Sequence, residues 1–365
     1  MMEKFRLRDK ELADSIYQKL KKMNLNIRLM HVCGTHQDTL VRFGLEENLA
    51  NVGVEIRQGP GCPVCVTTPK EIEEAILLSR KGKKLVVFGD MLKVPGASGS
   101  LAEARAKGGD VQIAYGVDDA VKIAQSIDKN VIFMAVGFET TIPSIAMAVK
   151  RAQDQKINNF SILCCHRIVP PALNALIELG EVKLHGLIEP GHVSTIIGAK
   201  PYEFLSEKYS VPQVIAGFEP LDLLMGIYML AKQIEKSEAK VEIEYTRSVK
   251  YEGNKKAIAV IDEVFTPFDI KWRGFPVIPE SGLRLRSKFD DFDARKLFED
   301  ELKEIQDMEF AEPKGCKCGE VLRGVIYSDE CPLFGKVCTP ENPVGPCMVS
   351  AEGSCNIMLK YGRRK

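Results

Sequence analysis

Short apolar runs that end at glycine or polar turns, with helical patterns between them, dominate the first two-thirds of the chain. Residues 27–32 (IRLMHV) end at Cys33-Gly34-Thr35-His36, and residues 54–57 end at Gly59-Pro60-Gly61-Cys62. Each run predicts a strand that delivers a cysteine on the loop that follows. The pattern recurs at 84–88 before Gly89-Asp90, at 111–114, and at 131–136 before Gly137-Phe138-Glu139-Thr140-Thr141. It recurs again at 161–165, 186–188 and 213–216. Helical spacing appears in the first 20 residues, at Ile72, Ala75, Ile76 and Leu78, and across 118–126. Continuous apolar strands alternating with helices predict mostly parallel sheets covered on both faces.

The expected architecture is therefore α/β, with an N-terminal helix in 1–25 and two doubly wound units over 26–125 and 126–238. From about residue 239 the pattern changes. Glu242-Ile243-Glu244-Tyr245 and Ala257-Ile258-Ala259-Val260-Ile261 read as antiparallel strands, and the segment beyond Glu312 is rich in loops. Residues 239–365 are expected to form a smaller third domain. Its tail holds six cysteines in forty residues with little periodicity, so it needs a metal centre for cohesion.

Charge narrows the choice of partners. Fifty basic residues balance fifty acidic ones over 365 positions, so no net field draws the chain to nucleic acid or anionic lipid. The charged N-terminal helix lacks the apolar core of a signal peptide, and no run approaches the roughly 20 apolar residues of a membrane span. These features predict a cytoplasmic protein without nucleic-acid or membrane partners. In that compartment clustered thiols bind metal or do redox work more often than they form structural bridges.

The eleven cysteines fall into two groups. In the tail, Cys318, Cys331, Cys338 and Cys355 are separated by twelve, six and sixteen residues, with Cys316 and Cys347 nearby. Four thiolates from a loop-rich segment suit an iron-sulfur cluster or zinc, and spacing does not choose between them. In front, Cys33, His36 and the Cys62-Pro-Val-Cys65 pair all follow predicted strands. Loops at strand carboxyl ends converge on one crevice, so these four residues are candidates for holding ferrous iron or for dithiol chemistry with a third partner. The bland alternative is a CxxC beside an unrelated cysteine.

Other polar loop residues carry weaker signals. Asp90, Glu139, Thr140 and Glu219 suit helix caps and turns as well as chemistry, and His166 and His192 suit a structural role equally. Cys164-Cys165, inside an apolar strand, reads as core. Trp272 reads as core too, and the basic stretch 284–288 as solvated surface. No GxGxxG or GxxxxGK[ST] motif occurs, so nucleotide binding has no motif support.

Taken together, Cys33-Gly34-Thr35-His36, Gly59-Pro60-Gly61-Cys62-Pro63-Val64-Cys65-Val66-Thr67, Gly137-Phe138-Glu139-Thr140-Thr141, Pro190-Gly191-His192-Val193-Ser194, Ala216-Gly217-Phe218-Glu219-Pro220 and Cys318-Gly319-Glu320-Val321-Leu322-Arg323-Gly324 closely resemble the HypD family of hydrogenase maturation factors. The resemblance spans essentially the whole chain. It implies a redox-active scaffold that works with the small chaperone HypC to assemble the Fe(CN)2CO centre of [NiFe]-hydrogenases, with cyanide accepted from HypE. It also implies a [4Fe-4S] cluster on Cys318, Cys331, Cys338 and Cys355, leaving Cys316 and Cys347 as non-ligands and Cys347 as a candidate redox partner beside the cluster.

By the same resemblance Cys33 is the ligand of the transient iron carrying cyanide and carbon monoxide, and Cys62/Cys65 is a dithiol that cycles with a disulfide. Two positions depart from the family's commoner pattern: Gln37 stands where glutamate is frequent, and Glu189 where a smaller or apolar residue is expected. Gln37 keeps hydrogen-bonding capacity without a carboxylate. The competing functional readings are an iron-sulfur-dependent disulfide reductase acting through Cys62/Cys65, and a zinc-stabilised binding module.

Overall fold

A computed structural model describes residues 9–362. The predicted N-terminal helix runs Lys10–Lys22, with its first eight predicted residues outside the described ones. Asp9 caps it by accepting the Leu12 N–H at 3.1 Å, and Ile16 and Leu20 are its buried contacts.

Eleven strands follow among the described residues: β1 Ile27–His31, β2 Val54–Gln58, β3 Lys84–Val87, β4 Val111–Ile113, β5 Val131–Gly137, β6 Phe160–His166, β7 Gly186–Pro190, β8 Gln213–Ala216, β9 Val241–Ile243, β10 Phe265–Lys271 and β11 Val277–Leu285. The first sheet has the order β2-β1-β7-β8-β9 and the second β4-β3-β5-β6. Both are wholly parallel. Every residue of β5, β6 and β7 is buried, as continuous apolar strands covered on both faces require.

The sheets do not follow the expected sequential division at 125. Strands on either side of that point, β3 and β5, are direct neighbours with Leu85 opposite Ile132. The chain lays down β1 and β2, builds all four strands of the second sheet, and returns to add β7, β8 and β9 to the first. Strand pairing is a long-range choice, and strands covered on both faces look alike in sequence whichever sheet takes them.

The third region also differs from expectation. Val241–Ile243 is a strand, but it closes the edge of the first sheet in parallel with β8. Ala257–Ile261 lies within the helix Lys255–Val264, where Asn254 accepts the Ala257 N–H at 3.2 Å. That cap selects a helix from a short apolar run that periodicity alone leaves ambiguous. The antiparallel pair is instead the hairpin β10-β11, with a register shift between Phe268 and Ile270.

Among the described residues the tail has no separate core. One cluster of buried side chains joins Met30 of the first sheet and Val32 just past it, Leu85 and Met134 of the second, and Leu322, Cys347 and Met348 of the tail. Trp272 is fully buried in it, stacked on Phe138 at 5.6 Å between centroids, with its indole N–H donated to Ser281. The buried pair Arg167–Glu71, with contacts of 2.9 and 2.7 Å, ties the exit of β6 to the helix Pro69–Arg80. Cys164 and Cys165 are buried strand residues, as expected.

Candidate functional site

In the first sheet the chain leaves β1 for β2 on one side, and β7 lies on the other. The carboxyl ends of β1 and β7 thus form a topological switch point, where open α/β sheets place their crevice. Cys33 follows β1, and Glu189 and Pro190 end β7 before Gly191 and His192. The second sheet has its own switch point between β3 and β5, flanked by Asp90 and by Phe138-Glu139.

The Cys33 and Cys62 loops touch directly. Gly34 N–H donates to the Gly61 carbonyl at 3.3 Å, and a Cβ on Gly61 would sit 2.3 Å from the Cys33 nitrogen. Only glycine allows that approach. Cys62 caps the short helix Pro63–Val66, and its sulfur is bonded to Cys65 across a Cα separation of 5.2 Å. Both sulfurs are buried. Cys33 is free, 7% exposed, and burial pushes its thiol up to about 11. It therefore carries a proton at neutral pH.

His36 is buried and turned toward the loop after β8. Its Nε2 lies 3.2 Å from the Ala216 carbonyl, so that nitrogen donates, and burial lowers the ring to about 3. Nδ1 is then the bare nitrogen and lacks a partner among the described residues. Phe218 lies between His36, at 5.3 Å between ring centroids, and His192, stacked at 3.8 Å. Gln37 is not aimed at the thiols. Its oxygen meets His31 Nε2 at 2.6 Å and its amide donates to Glu46 at 3.2 Å, forming a buried relay that burial and pairing hold in place.

The tail brings the second group of cysteines against the first. The helix Pro346–Val349, carrying Cys347, packs on the helix Pro63–Val66, carrying Cys65. The helix Ser354–Tyr361, carrying Cys355, packs along Gly34–Arg42, which begins right after Cys33. Between them, Glu352 covers Gly34 so closely that a Cβ there would sit 2.5 Å from the Glu352 Cβ. Ser350 donates to Asp90 at 2.8 Å. The stretch from Ser350 to Glu352 thus touches both switch points. Sequence reasoning passed over Ser350 and Glu352, because nothing local distinguishes a loop residue that packs some 300 positions away.

Cys316, Cys318, Cys331, Cys338 and Cys355 line one narrow recess with Val321, Leu333, Phe334 and Met348. The four expected cluster residues are therefore brought together, and Cys316, read from sequence as a bystander, stands among them. Cys347 does not line the recess, but its thiol interacts with those of Cys318 and Cys355. Hydrogen bonds from Cys318 and Cys347 hold the Cys355 thiol well below its ordinary range despite burial. Among the described residues no three His, Cys, Asp or Glu side chains close around one ion. The all-sulfur donor set and apolar walls of the recess fit an iron-sulfur group, which these thiolates would hold and which would supply one-electron chemistry.

Two parallel α/β sheets whose switch points share one cysteine-rich tail define the class to which the chain belongs, an α/β protein with buried thiols at its crevices. The chain matches, over residues 8–362, the family described as HypD, hydrogenase formation hypA family, and it belongs to that family. It is 47% identical to a hydrogenase expression/formation protein of Methanocaldococcus jannaschii, covering 97% of both chains. It is 41% identical to the hydrogenase maturation factor HypD of Cupriavidus necator, covering 98% of this chain and 96% of that one. Identity to the HypD of Azotobacter vinelandii is 42%, over 93% and 90%. No helix among the described residues is long and apolar enough to cross a membrane.

Proposed function

We propose that the chain is a redox-active scaffold for maturation of [NiFe]-hydrogenases, on which an iron receives cyanide and carbon monoxide before delivery. The observation that carries this reading is the packing of the tail helices bearing Cys347 and Cys355 onto the loops bearing Cys65 and Cys33. Cys33 binds the iron cargo as thiolate, a soft donor suited to the ferrous ion. The buried Cys62/Cys65 dithiol supplies the two electrons and two protons that split the S–CN bond of the sulfur-bound carrier into a thiol and hydrogen cyanide, and becomes the disulfide. A HypC-type chaperone shares the cargo and a HypE-type protein donates cyanide.

In the tail, Cys331, Cys338 and Cys355 hold a [4Fe-4S] group, with the fourth thiolate from Cys318 as the family resemblance implies. Such a group supplies single electrons. Cys316 competes for the fourth position, since both thiols of Cys316-Lys317-Cys318 line the recess. Acid-labile sulfide in Cys318→Ser and Cys316→Ser chains decides between them. Stoichiometric zinc without sulfide in the unaltered chain would sink the cluster.

Infrared spectra of the anaerobic complex with HypC test the scaffold role, with cyanide and carbon monoxide stretches expected. Their absence, together with brisk turnover of small disulfides, would instead favour a disulfide reductase acting through Cys62/Cys65. The disulfide in the structure lends that second reading its support.

A further inference from the structure

A cavity of about 800 Å³ opens beside β6, the edge strand of the second sheet. Its walls come from the hairpin β10-β11, from the helix Pro69–Arg80, and from the short helices Ala294–Leu297 and Glu299–Leu302. None of Cys33, Cys62, Cys65, Asp90 or Glu139 lines it, so it stands apart from both switch points. Thr68, which does line it, lies three residues past Cys65.

The lining is apolar in the middle and charged around the opening. Phe268, Ile270, Leu283, Leu302 and Ile305 supply the apolar part, together with Cys164 of β6. The Cys164 thiol donates to the Leu283 carbonyl at 3.0 Å, and the Cys164 carbonyl accepts from the Arg295 guanidinium at 2.6 Å. The outer edge of β6 is therefore already occupied at that residue, and a peptide strand added there would have to displace Arg295. A compact organic molecule meets no such obstacle. Cavities of this volume with apolar walls and a few polar groups suit small molecules.

The charges around the opening decide which molecule. Glu71 is paired with Arg167, Glu74 with Arg295 at 2.7 Å, and Lys296 with Asp290 at 2.6 Å. Asp293 accepts the Arg295 backbone N–H at 2.9 Å. Among the described residues Lys70, Lys271 and Arg284 reach no carboxylate, whereas Glu299 is the one lining acid without a partner. The Lys70 ammonium donates to the Gln306 carbonyl, and Arg284 lies 6.0 Å from the Phe268 ring. Lys70 and Lys271 stand at the same end: Lys70 precedes Glu71, and the Lys271 carbonyl accepts at 3.0 Å from Arg167, the partner of Glu71.

We propose that this cavity binds a small amphipathic carboxylate, with its apolar chain against Phe268, Ile270 and Leu283 and its head at Lys70 and Lys271. Removing the chain from water supplies most of the affinity, because the apolar lining is otherwise wetted. The lysines are partly or fully exposed, so they select the head more than they strengthen binding.

The test uses the full chain, prepared anaerobically, with decanoate as the probe and isotope-labelled isoleucine methyls as the reporters. Resonances of Ile270 and Ile305, assigned through Ile270→Val and Ile305→Val, are expected to shift saturably, while those of Ile27 and Ile56 in the first sheet stay in place. Decyltrimethylammonium, with the same chain and the opposite charge, should bind about tenfold more weakly. Decanoate should lose affinity by a similar factor in the Lys70→Gln, Lys271→Gln double variant, as loss of two exposed ion pairs implies. Ile270 and Ile305 signals that ignore millimolar decanoate overturn the proposal. Equal binding of the two head groups does so too, as does wild-type affinity in the double variant. If that variant melts early, the comparison of head groups on the unaltered chain decides alone. Shifts of the same methyls by HypC, with none from decanoate, would make the cavity a protein interface and overturn the small-molecule site.

Discussion

The front thiols and the tail thiols are held by different means. Cys33 and Cys62 follow β1 and β2, strands whose register is set by parallel pairing from Ile27 opposite Val54 to His31 opposite Gln58. Their positions are consequences of a buried sheet. Cys316 to Cys355 sit on turns and helices of at most eight residues, fastened at their edges to the front loops. Removing a front sulfur should cost chemistry and spare the fold. Removing a tail sulfur should cost the cluster and local order together.

The sharpest break in that contrast is Cys331→Ser, which is expected to abolish acid-labile sulfide and to expose amides of 313–362 to hydrogen exchange while the two parallel sheets stay protected. Full sulfide content would remove Cys331 from the ligand set. Cys33→Ser comes next, with maturation of hydrogenase lost by at least about 100-fold in a complementation assay. Sulfide content and melting temperature should stay at wild-type values, and a variant that still matures hydrogenase would take Cys33 out of the chemistry.

Gly61→Ala tests the contact between the two front loops. The added methyl meets backbone atoms of Cys33 that cannot rotate away, so destabilisation of about 1–3 kcal/mol is expected in denaturant melts. Wild-type stability would show the loops to be looser than their contact implies. Ser350→Ala is the mildest change. It removes the hydrogen bond to Asp90 and the one Ser350 Oγ accepts from the Glu352 N–H, each worth about 0.5–1.5 kcal/mol, and should raise hydrogen exchange in 350–353. Unaltered exchange would mean that apolar packing alone seats the tail.

Legibility in the sequence followed the range of the interaction. β5 and β6 were readable because seven buried positions in a row leave an apolar run that no surface strand shows. Helix Lys255–Val264 was misread because its run is short and its decisive signal, the Asn254 cap, lies outside it. The Cys33 and Cys62 loops were readable as neighbours, since both close parallel strands. Glu189 was noticed only as an oddity. Its burial without partners depends on what Ile215 and Tyr202 bring to it from other elements.

What the chain determines locally is the strands of the two parallel sheets, the loops that carry each cysteine, and the two chemical groups into which the cysteines fall. These follow from side-chain period and from the backbone demands of glycine and proline, which act over a few residues. Sheet membership, the seating of the tail across both switch points, and the presence of Cys316 beside the four expected ligands were decided only in three dimensions. Each of these depends on burying surfaces that come from segments hundreds of residues apart, and no local pattern records which surface will cover which.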